Sequence, residues 1–300
     1  MDRLFSRRRF LGVLVGMGVG ALLSGCSRVS ADGGANVSQL DGGAKGSASS
    51  AGTANEAKFT QGSRVDRGFV VDDSLDVGGR TLHFSLHVPD SYDGPTAYRL
   101  YVSCPGWEGL YFQGVGANLV EDFPFVANDY VPNMIVASPQ LDDWGQQSAD
   151  DVVALTEWLL ATYNIDTEHV YLSGNSGGGE TISLVLGQRP DLYRRALHTI
   201  SRWDGNLDVL TDAQVPVYMA IGQHDDYYGS DPDRATYQQI CDAYRQKGLT
   251  DAQISDLVVL DVKPDSYFTD HGRSAGTSQH AGGGALFPHD SDIMGWLFRD

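Results

Sequence analysis

A chain of 300 residues that is 41% hydrophobic and 10% aromatic carries enough apolar material to bury one sizeable core, which excludes disorder for most of its length. Its 39 acidic against 21 basic side chains leave a formal net charge of -18, a surface that repels phosphate backbones and so speaks against nucleic acid as a partner. Three cysteines are too few for a disulfide framework and fit no zinc spacing. No apolar run reaches the length of about 18 residues that a spanning helix needs.

The first elements are an address and a tether. Ser6-Arg-Arg-Arg-Phe-Leu11 precedes an apolar stretch from Phe10 to Leu23, and Leu23-Ser-Gly-Cys26 follows. A basic segment, a short apolar segment and small residues are the parts of an export signal, here over residues 1–25. The arginine run resembles the twin-arginine signal, and Leu23–Cys26 resembles a lipobox, in which the cysteine is acylated and becomes the new N-terminus. Lipid on Cys26 would hold the protein at the outer face of a bacterial membrane or at the cell surface without a spanning helix. Residues 27–58 hold six Gly, seven Ala and six Ser and no aromatic residue, too little apolar surface to offset ordering entropy. That stretch would reach about 100 Å fully extended, so residues 26–63 read as a flexible linker and the folded domain as residues 64–300.

Within that domain the pattern begins with strands and then alternates. Arg67–Val71 and Arg80–Val88 read as a hairpin turning at Gly78-Gly79. Tyr98–Cys104 and Asn133–Ser138 are short apolar strands. Ser148–Tyr163 reads as a helix opened by a capping box of Ser148 and Asp151, with Val152, Leu155, Leu159 and Tyr163 on one face. His169–Ser173 is a strand and Ser176–Gln188 a helix. Ala196–Ser201 and Val215–Ile221 are strands, Asp231–Lys247 is a helix stopped by Gly248, Leu257–Val262 is a strand, and Asp292–Phe298 closes the chain as a helix. Strands alternating with helices predict one α/β domain with a mostly parallel sheet covered on both faces.

The sharpest motif is Gly174-Asn-Ser-Gly-Gly178, a G-x-S-x-G placed between a strand and a helix. A serine on such a turn is a nucleophile once a base takes its proton and a carboxylate orients the base. The chain order Ser, acid, His then directs the search. Asp225, in Gly222-Gln-His-Asp225 after a strand, is favoured as the acid, with Asp226 and then Asp204 as alternatives. The base must come from residues 263–290, which hold His271, His280 and His289. His280 is favoured because Ala-Gly-Gly-Gly after it would let a loop reach over the serine. His289 precedes the last helix, whose positive end disfavours an imidazolium. The other five histidines read as structural or surface residues. Two backbone N–H groups are needed for the oxyanion: Gly177 at the helix start, and Trp107 in the turn Cys104-Pro-Gly-Trp107, where Gly106 permits a sharp bend.

Asp166–Gly179, Ile221–Asp225 and Gln279–Gly283 resemble the α/β-hydrolase superfamily of serine esterases. Within it, they resemble the extracellular branch of polyhydroxybutyrate-depolymerase-type and feruloyl-esterase-type enzymes. The likeness spans residues 67–300. It implies the α/β-hydrolase fold, with Ser176 as nucleophile, His280 as base and Asp225 as orienting acid. The chain departs from that branch in the Asn before the serine and in the three glycines after it. A likeness to the prolyl-oligopeptidase type is also present, without room for that family's gating propeller.

The expected activity is hydrolysis of small-molecule or polymer-derived carboxylic esters through an acyl-enzyme, with no cofactor and no metal. A small serine peptidase or amidase on the same triad is the alternative. A binding lipoprotein that kept the fold without catalysis is another, and it predicts Ser176 and His280 farther apart than about 3–4 Å. Pro139–Trp144 could line the acyl pocket, Tyr227-Tyr228 could form an aromatic wall, and Cys104 and Cys241 could pair or stay free.

Overall fold

A computed structural model describes residues 58–299; the export signal, Cys26 and the linker up to residue 57 lie outside the described residues. Two short strands, β1 (Lys58–Thr60) and β2 (Arg64–Asp66), lead into β3 (Phe69–Val77) and β4 (Arg80–His87). The hairpin turns at Gly78 and Gly79, both at positive φ as a two-residue turn requires. Two details differ from the sequence expectation. Lys58–Thr60 already pairs with β3, so the sheet begins six residues before the expected boundary at 64. Arg67 belongs to a turn, and β3 continues past Val71 through Asp72 and Asp73, which composition reads as breakers. Asp72, at φ 66, sits where the register with β4 shifts, a bulge, while buried Asp73 accepts the Gly62 N–H at 2.7 Å.

Then follow β5 (Tyr98–Cys104), α1 (Phe123–Tyr130), β6 (Met134–Gln140), α2 (Gln146–Thr162), β7 (Ile165–Asn175), α3 (Gly177–Leu186), β8 (Arg195–Thr199) and α4 (Leu207–Ala213). The chain continues through β9 (Val217–Gly222), α5 (Asp231–Gln246), α6 (Asp251–Leu257), β10 (Val258–Lys263), α7 (Asp265–Asp270), α8 (Gln279–Leu286) and α9 (Ser291–Phe298). The order across the sheet is β1-β3-β4-β6-β5-β7-β8-β9-β10, with β2 on β3. Pairing is antiparallel from β1 to the β4–β6 contact and parallel from β6 to β10.

Alternate residues of the buried strands feed two cores, one on each face. Leu100, Val102, Leu172, Ala196 and Met219 join Val152, Leu155 and Leu159 of α2, Ile182 of α3 and Ile240 of α5. Tyr101, Tyr171, Leu197, Tyr218 and Ala220 join Phe123 of α1 and Ile293, Met294 and Leu297 of α9 on the other face. Helix α2 is one correction: it is capped at Gly145, so Ser148 lies within the first turn and forms no capping box with Asp151. The Ser148 hydroxyl instead donates to Asp143 Oδ1 at 2.8 Å, and Asp151 pairs with Arg80 at 2.7 Å. Cys104 and Cys241 are separate buried thiols. Among the described residues, no helix is long and apolar enough to cross a membrane.

Asp233, in the first turn of α5, is fully buried, and neither carboxyl oxygen has a hydrogen-bond partner. Burial, and secondarily the charge of Asp225, raise its pKa from 3.8 to about 8. Between those values the folded protein keeps a proton that the unfolded chain has released, so this group's contribution to stability falls as pH rises from about 4 to about 8. Asp233→Asn removes that loss. Its stability relative to wild type, measured by urea unfolding, is expected to be about 1–3 kcal/mol more favourable at pH 8.5 than at pH 5.5.

Candidate active site

Because β6 and β7 lie on opposite sides of β5, the connections leaving the C-terminal ends of β5 and β7 diverge and leave a crevice between them. Strand β7 ends at Asn175 and α3 starts at Gly177, which isolates Ser176 between them at φ 53, ψ -121. This conformation costs a serine on the order of 1–3 kcal/mol and persists only where the surroundings impose it. Here they do. The Ser176 N–H donates to the Thr199 carbonyl at 2.9 Å, and its carbonyl accepts from the Gly179 N–H at 2.8 Å and the Ser201 hydroxyl at 2.6 Å. A β-carbon on Gly174 would stand 2.2 Å from the Gly178 oxygen, and one on Gly178 would stand 2.3 Å from the Cys104 oxygen. Both flanking glycines are therefore required by the close approach of the elbow to itself and to the end of β5.

His280 Nε2 lies 2.9 Å from Ser176 Oγ, and His280 Nδ1 lies 3.0 Å from Asp225 Oδ2. The tautomer that satisfies both contacts carries its proton on Nδ1, donates to Asp225 and accepts from the serine hydroxyl. The Asp225 side chain is fully enclosed, and its Oδ1 accepts the N–H groups of Tyr227 at 3.0 Å and Tyr228 at 2.8 Å. Both tyrosine rings lean on the imidazole, with centroids 5.1 and 5.6 Å away. Asp226 serves the backbone instead, because its Oδ1 accepts the His280 N–H at 3.2 Å and the Ser278 hydroxyl at 2.7 Å. One aspartate thus orients the ring and the next anchors the main chain that carries it.

The segment around His280 corrects one expectation. Gln279–Leu286 is a helix rather than a loop, so His280 stands in a first helical turn, the environment held against His289. The glycines serve packing: a β-carbon on Gly282 would meet Phe268 at 2.8 Å, and one on Gly283 would meet Ile200 at 2.5 Å. The alternatives lie elsewhere. His289 Nε2 contacts Asp122 at 3.0 Å, exposed His271 bonds the Tyr267 carbonyl, and Asp204 pairs with Arg202. His198 is fully buried, and burial lowers its pKa to about 4, which keeps it neutral.

Gly177, first in α3, has an N–H without an intrahelical partner by position. Trp107 opens a single 3₁₀ turn and is 44% exposed. Gly106 before it has φ -78, so its glycine is explained by proximity rather than by a left-handed bend. A β-carbon there would stand 3.1 Å from both the Ser176 β-carbon and Glu121 Oε1. From the loop after β6, Trp144 presses its indole nitrogen onto Gly177, and that nitrogen is buried without a hydrogen-bond partner.

Sequence reasoning missed Glu121. Its Oε1 accepts from Asn175 Nδ2 at 2.7 Å and the Gly106 N–H at 3.2 Å. Burial pushes its carboxyl up to about 7 despite the opposing pull of those two donors. No motif marks this residue; the only signal was Asn175, the unusual neighbour of the serine. Also unforeseen, Tyr228 donates from its hydroxyl to Glu180 at 2.6 Å. Among the described residues, no group of three or more His, Cys, Asp or Glu side chains could hold a metal ion.

Residues 140–253 match the Prolyl oligopeptidase family, a stretch that holds Ser176 and Asp225 and stops before His280. Comparison with curated proteins finds no match. A thermostable esterase superposes with a TM-score of 0.60 at 18% identity, over 77% of this chain and 62% of its own. A protein called FAE does so at 0.52 and 13% identity, over 81% and 96%. Oligopeptidase B from Leishmania major matches at 0.49 and 13% identity, over 81% of this chain and 36% of its own. The chain thus spans less than two thirds of the thermostable esterase and about a third of the oligopeptidase. The first two share its fold.

The elbow contacts predict a contrast between two glycines. Gly178→Ala drives a methyl group into two backbone carbonyls and is expected to destabilise by about 3 kcal/mol. Gly284→Ala in α8 meets nothing closer than 3.4 Å and is expected to be neutral or to stabilise by up to about 1 kcal/mol. Thermal unfolding of the two variants beside wild type checks both.

Proposed function

We propose that the chain, a serine hydrolase with the α/β-hydrolase fold, cleaves carboxylic esters through a covalent acyl-enzyme. Ser176 is the nucleophile, His280 the general base and Asp225 the orienting acid. One observation carries this reading: a serine on a strained elbow, 2.9 Å from an imidazole whose other nitrogen is 3.0 Å from an enclosed carboxylate. Those distances also oppose a non-catalytic binding protein, which needs Ser176 and His280 apart.

The chemistry follows from the contacts. His280 Nε2 takes the serine proton as Oγ attacks the ester carbonyl, and Asp225 stabilises the imidazolium that forms. The backbone N–H groups of Gly177 and Trp107 receive the developing oxyanion. Collapse of the tetrahedral intermediate transfers the proton from His280 to the departing alkoxide, and water repeats the sequence to release the acid. In this reading exposed Trp107 and Tyr227 form the rim that meets the substrate's apolar part.

The ester reading rests on the resemblance of the elbow, Ile221–Asp225 and Gln279–Gly283 to extracellular serine esterases; a thermostable esterase also shares the fold. The match of residues 140–253 to the Prolyl oligopeptidase family favours a second reading, a small peptidase or amidase on the same triad. The proposal includes export and a lipid on Cys26, which rest on Ser6–Leu11 and Leu23–Cys26 alone.

A fluorophosphonate probe is expected to label wild type at Ser176 and leave Ser176→Ala unlabelled. His280→Ala is expected to lose about 10⁴-fold or more in kcat. p-Nitrophenyl esters should be turned over well ahead of peptide anilides; the reverse order would select the peptidase reading, and an inert, unlabelled wild type would overturn both. Cys26→Ser is expected to move the protein from the membrane fraction to the soluble one, and unchanged fractionation would refute the lipid anchor.

A further inference from the structure

The loop between β5 and α1, residues 105–122, forms one wall of the site with only single 3₁₀ turns of regular structure. Side chains and isolated backbone contacts must therefore hold it. Its later part is fastened to β6 and the residue that follows it. The Tyr111 N–H donates to the Leu141 carbonyl at 2.8 Å, the Gly116 N–H to Gln140 Oε1 at 3.1 Å, and Asn118 Nδ2 to the Ser138 carbonyl at 2.6 Å. These ties hold the later part of the loop. Gly106, whose position lies against the Ser176 β-carbon, is held by Glu121.

We propose that Glu121 is a positioning residue that clamps the Gly106–Trp107 turn to the nucleophile elbow, and so keeps the loop's backbone donor in register with Ser176. One carboxyl oxygen carries the clamp. Glu121 Oε1 accepts the Gly106 N–H at 3.2 Å and Asn175 Nδ2 at 2.7 Å, which joins the loop directly to the residue before the nucleophile. The chain of contacts continues. Asn175 Oδ1 accepts from the Thr199 hydroxyl at 2.9 Å, and the Thr199 carbonyl accepts the Ser176 N–H at 2.9 Å. Loop, elbow and the end of β8 are thereby linked through consecutive polar groups. The carboxyl is enclosed although Glu121 keeps part of its surface in solvent. Enclosing a carboxyl is unfavourable unless its oxygens are used, and here the use is geometric: Glu121, Gly106 and Ser176 meet within a space too small for one added β-carbon. The Asn before the serine, a departure from the esterases the chain resembles, is the elbow's half of the clamp.

This inference rests on the hydrolase reading, and the test separates the two. Steady-state kinetics on p-nitrophenyl acetate compare wild type, Glu121→Leu, Glu121→Gln and Asn175→Ala in the full chain. Glu121→Leu keeps the bulk and removes the acceptor; kcat is expected to fall about 10- to 100-fold, with KM within about three-fold, because a displaced oxyanion donor acts mainly on the transition state. Glu121→Gln keeps an acceptor oxygen for both donors and is expected to recover kcat to within about five-fold of wild type. Asn175→Ala is expected to lower kcat with KM little changed, and adding it to Glu121→Leu should cost little more, since both act through one contact. Wild-type kcat in Glu121→Leu, or a Glu121→Gln as impaired as Glu121→Leu, overturns the clamp. Should Glu121→Leu fail to fold, Asn175→Ala decides alone, and an unchanged kcat overturns the proposal. A wild type inert to esters and to fluorophosphonate defeats the hydrolase reading itself, whereas an active wild type beside an equally active Glu121→Leu defeats the clamp only.

Discussion

The site depends on a backbone contact: the start of α3 lies directly against the carbonyls at the end of β5, with no side chain between them. Gly178 fills that gap, and Gly174 allows β7 to turn back under it. Once the turn is this tight, Ser176 has no ordinary backbone conformation available and is held at positive φ. The strain is balanced by contacts to β8, whose Thr199 carbonyl takes the Ser176 N–H. The serine N–H is therefore committed to the sheet. The backbone donor the elbow can present to a substrate is that of Gly177, at the open end of α3.

The elbow aims the serine, and α8 then has to bring a histidine to it without leaving an imidazolium unsupported. A helix N-terminus disfavours positive charge, yet His280 stands in the first turn of α8. Two consecutive aspartates reconcile these facts. Asp225 faces the ring nitrogen, while Asp226 takes the backbone N–H of His280 and the hydroxyl of the capping Ser278. An acidic residue at each point replaces the local positive field with negative charge, in a protein whose net charge is already -18. The Gly-rich stretch that follows lets α8 sit close to Ile200 and Phe268, which fixes the height of the imidazole above the serine.

What could be read before folding was what depends on local chemistry. The alternation of strands and helices, the turn at Gly78-Gly79 and the elbow all carry short-range signals of period or residue type, and each is found close to its expected place. The order Ser176, Asp225, His280 came instead from the fold class that the elbow implies. The structure singles out Asp225 and His280 from their neighbours because only tertiary placement distinguishes two adjacent aspartates. Short helices escaped. Helix α4 is held by an Asn206 cap and α6 by a Thr250–Gln253 box, each too brief to show a hydrophobic period. Helix α8 was hidden by its glycines, which oppose helix in isolation and are tolerated because the packing surface demands them. Glu121 had no local signature at all, since its partners Gly106 and Asn175 are 15 and 54 residues away.

Three carboxyls near the site show how one functional group is given three conditions by its donors. Asp225 is enclosed, with two backbone N–H groups on one oxygen and the imidazole on the other. Asp233, close enough to feel that charge, is buried without a donor and is driven to the neutral form near pH 7. Its neutrality leaves the charge that faces the imidazole ring to Asp225, rather than crowding two anions behind one histidine. Glu121 lies between these extremes, with two donors on one oxygen and burial pulling the other way. Its ionisation therefore falls near pH 7, and on the proposed mechanism the oxyanion forms against the loop it holds. A neutral carboxyl there keeps the acceptor that holds the loop and adds no charge against the oxyanion, whereas an ionised one strengthens the hold and opposes the transition state. The clamp and the chemistry thus make different demands on one proton, and an amide at position 121 would satisfy both at every pH.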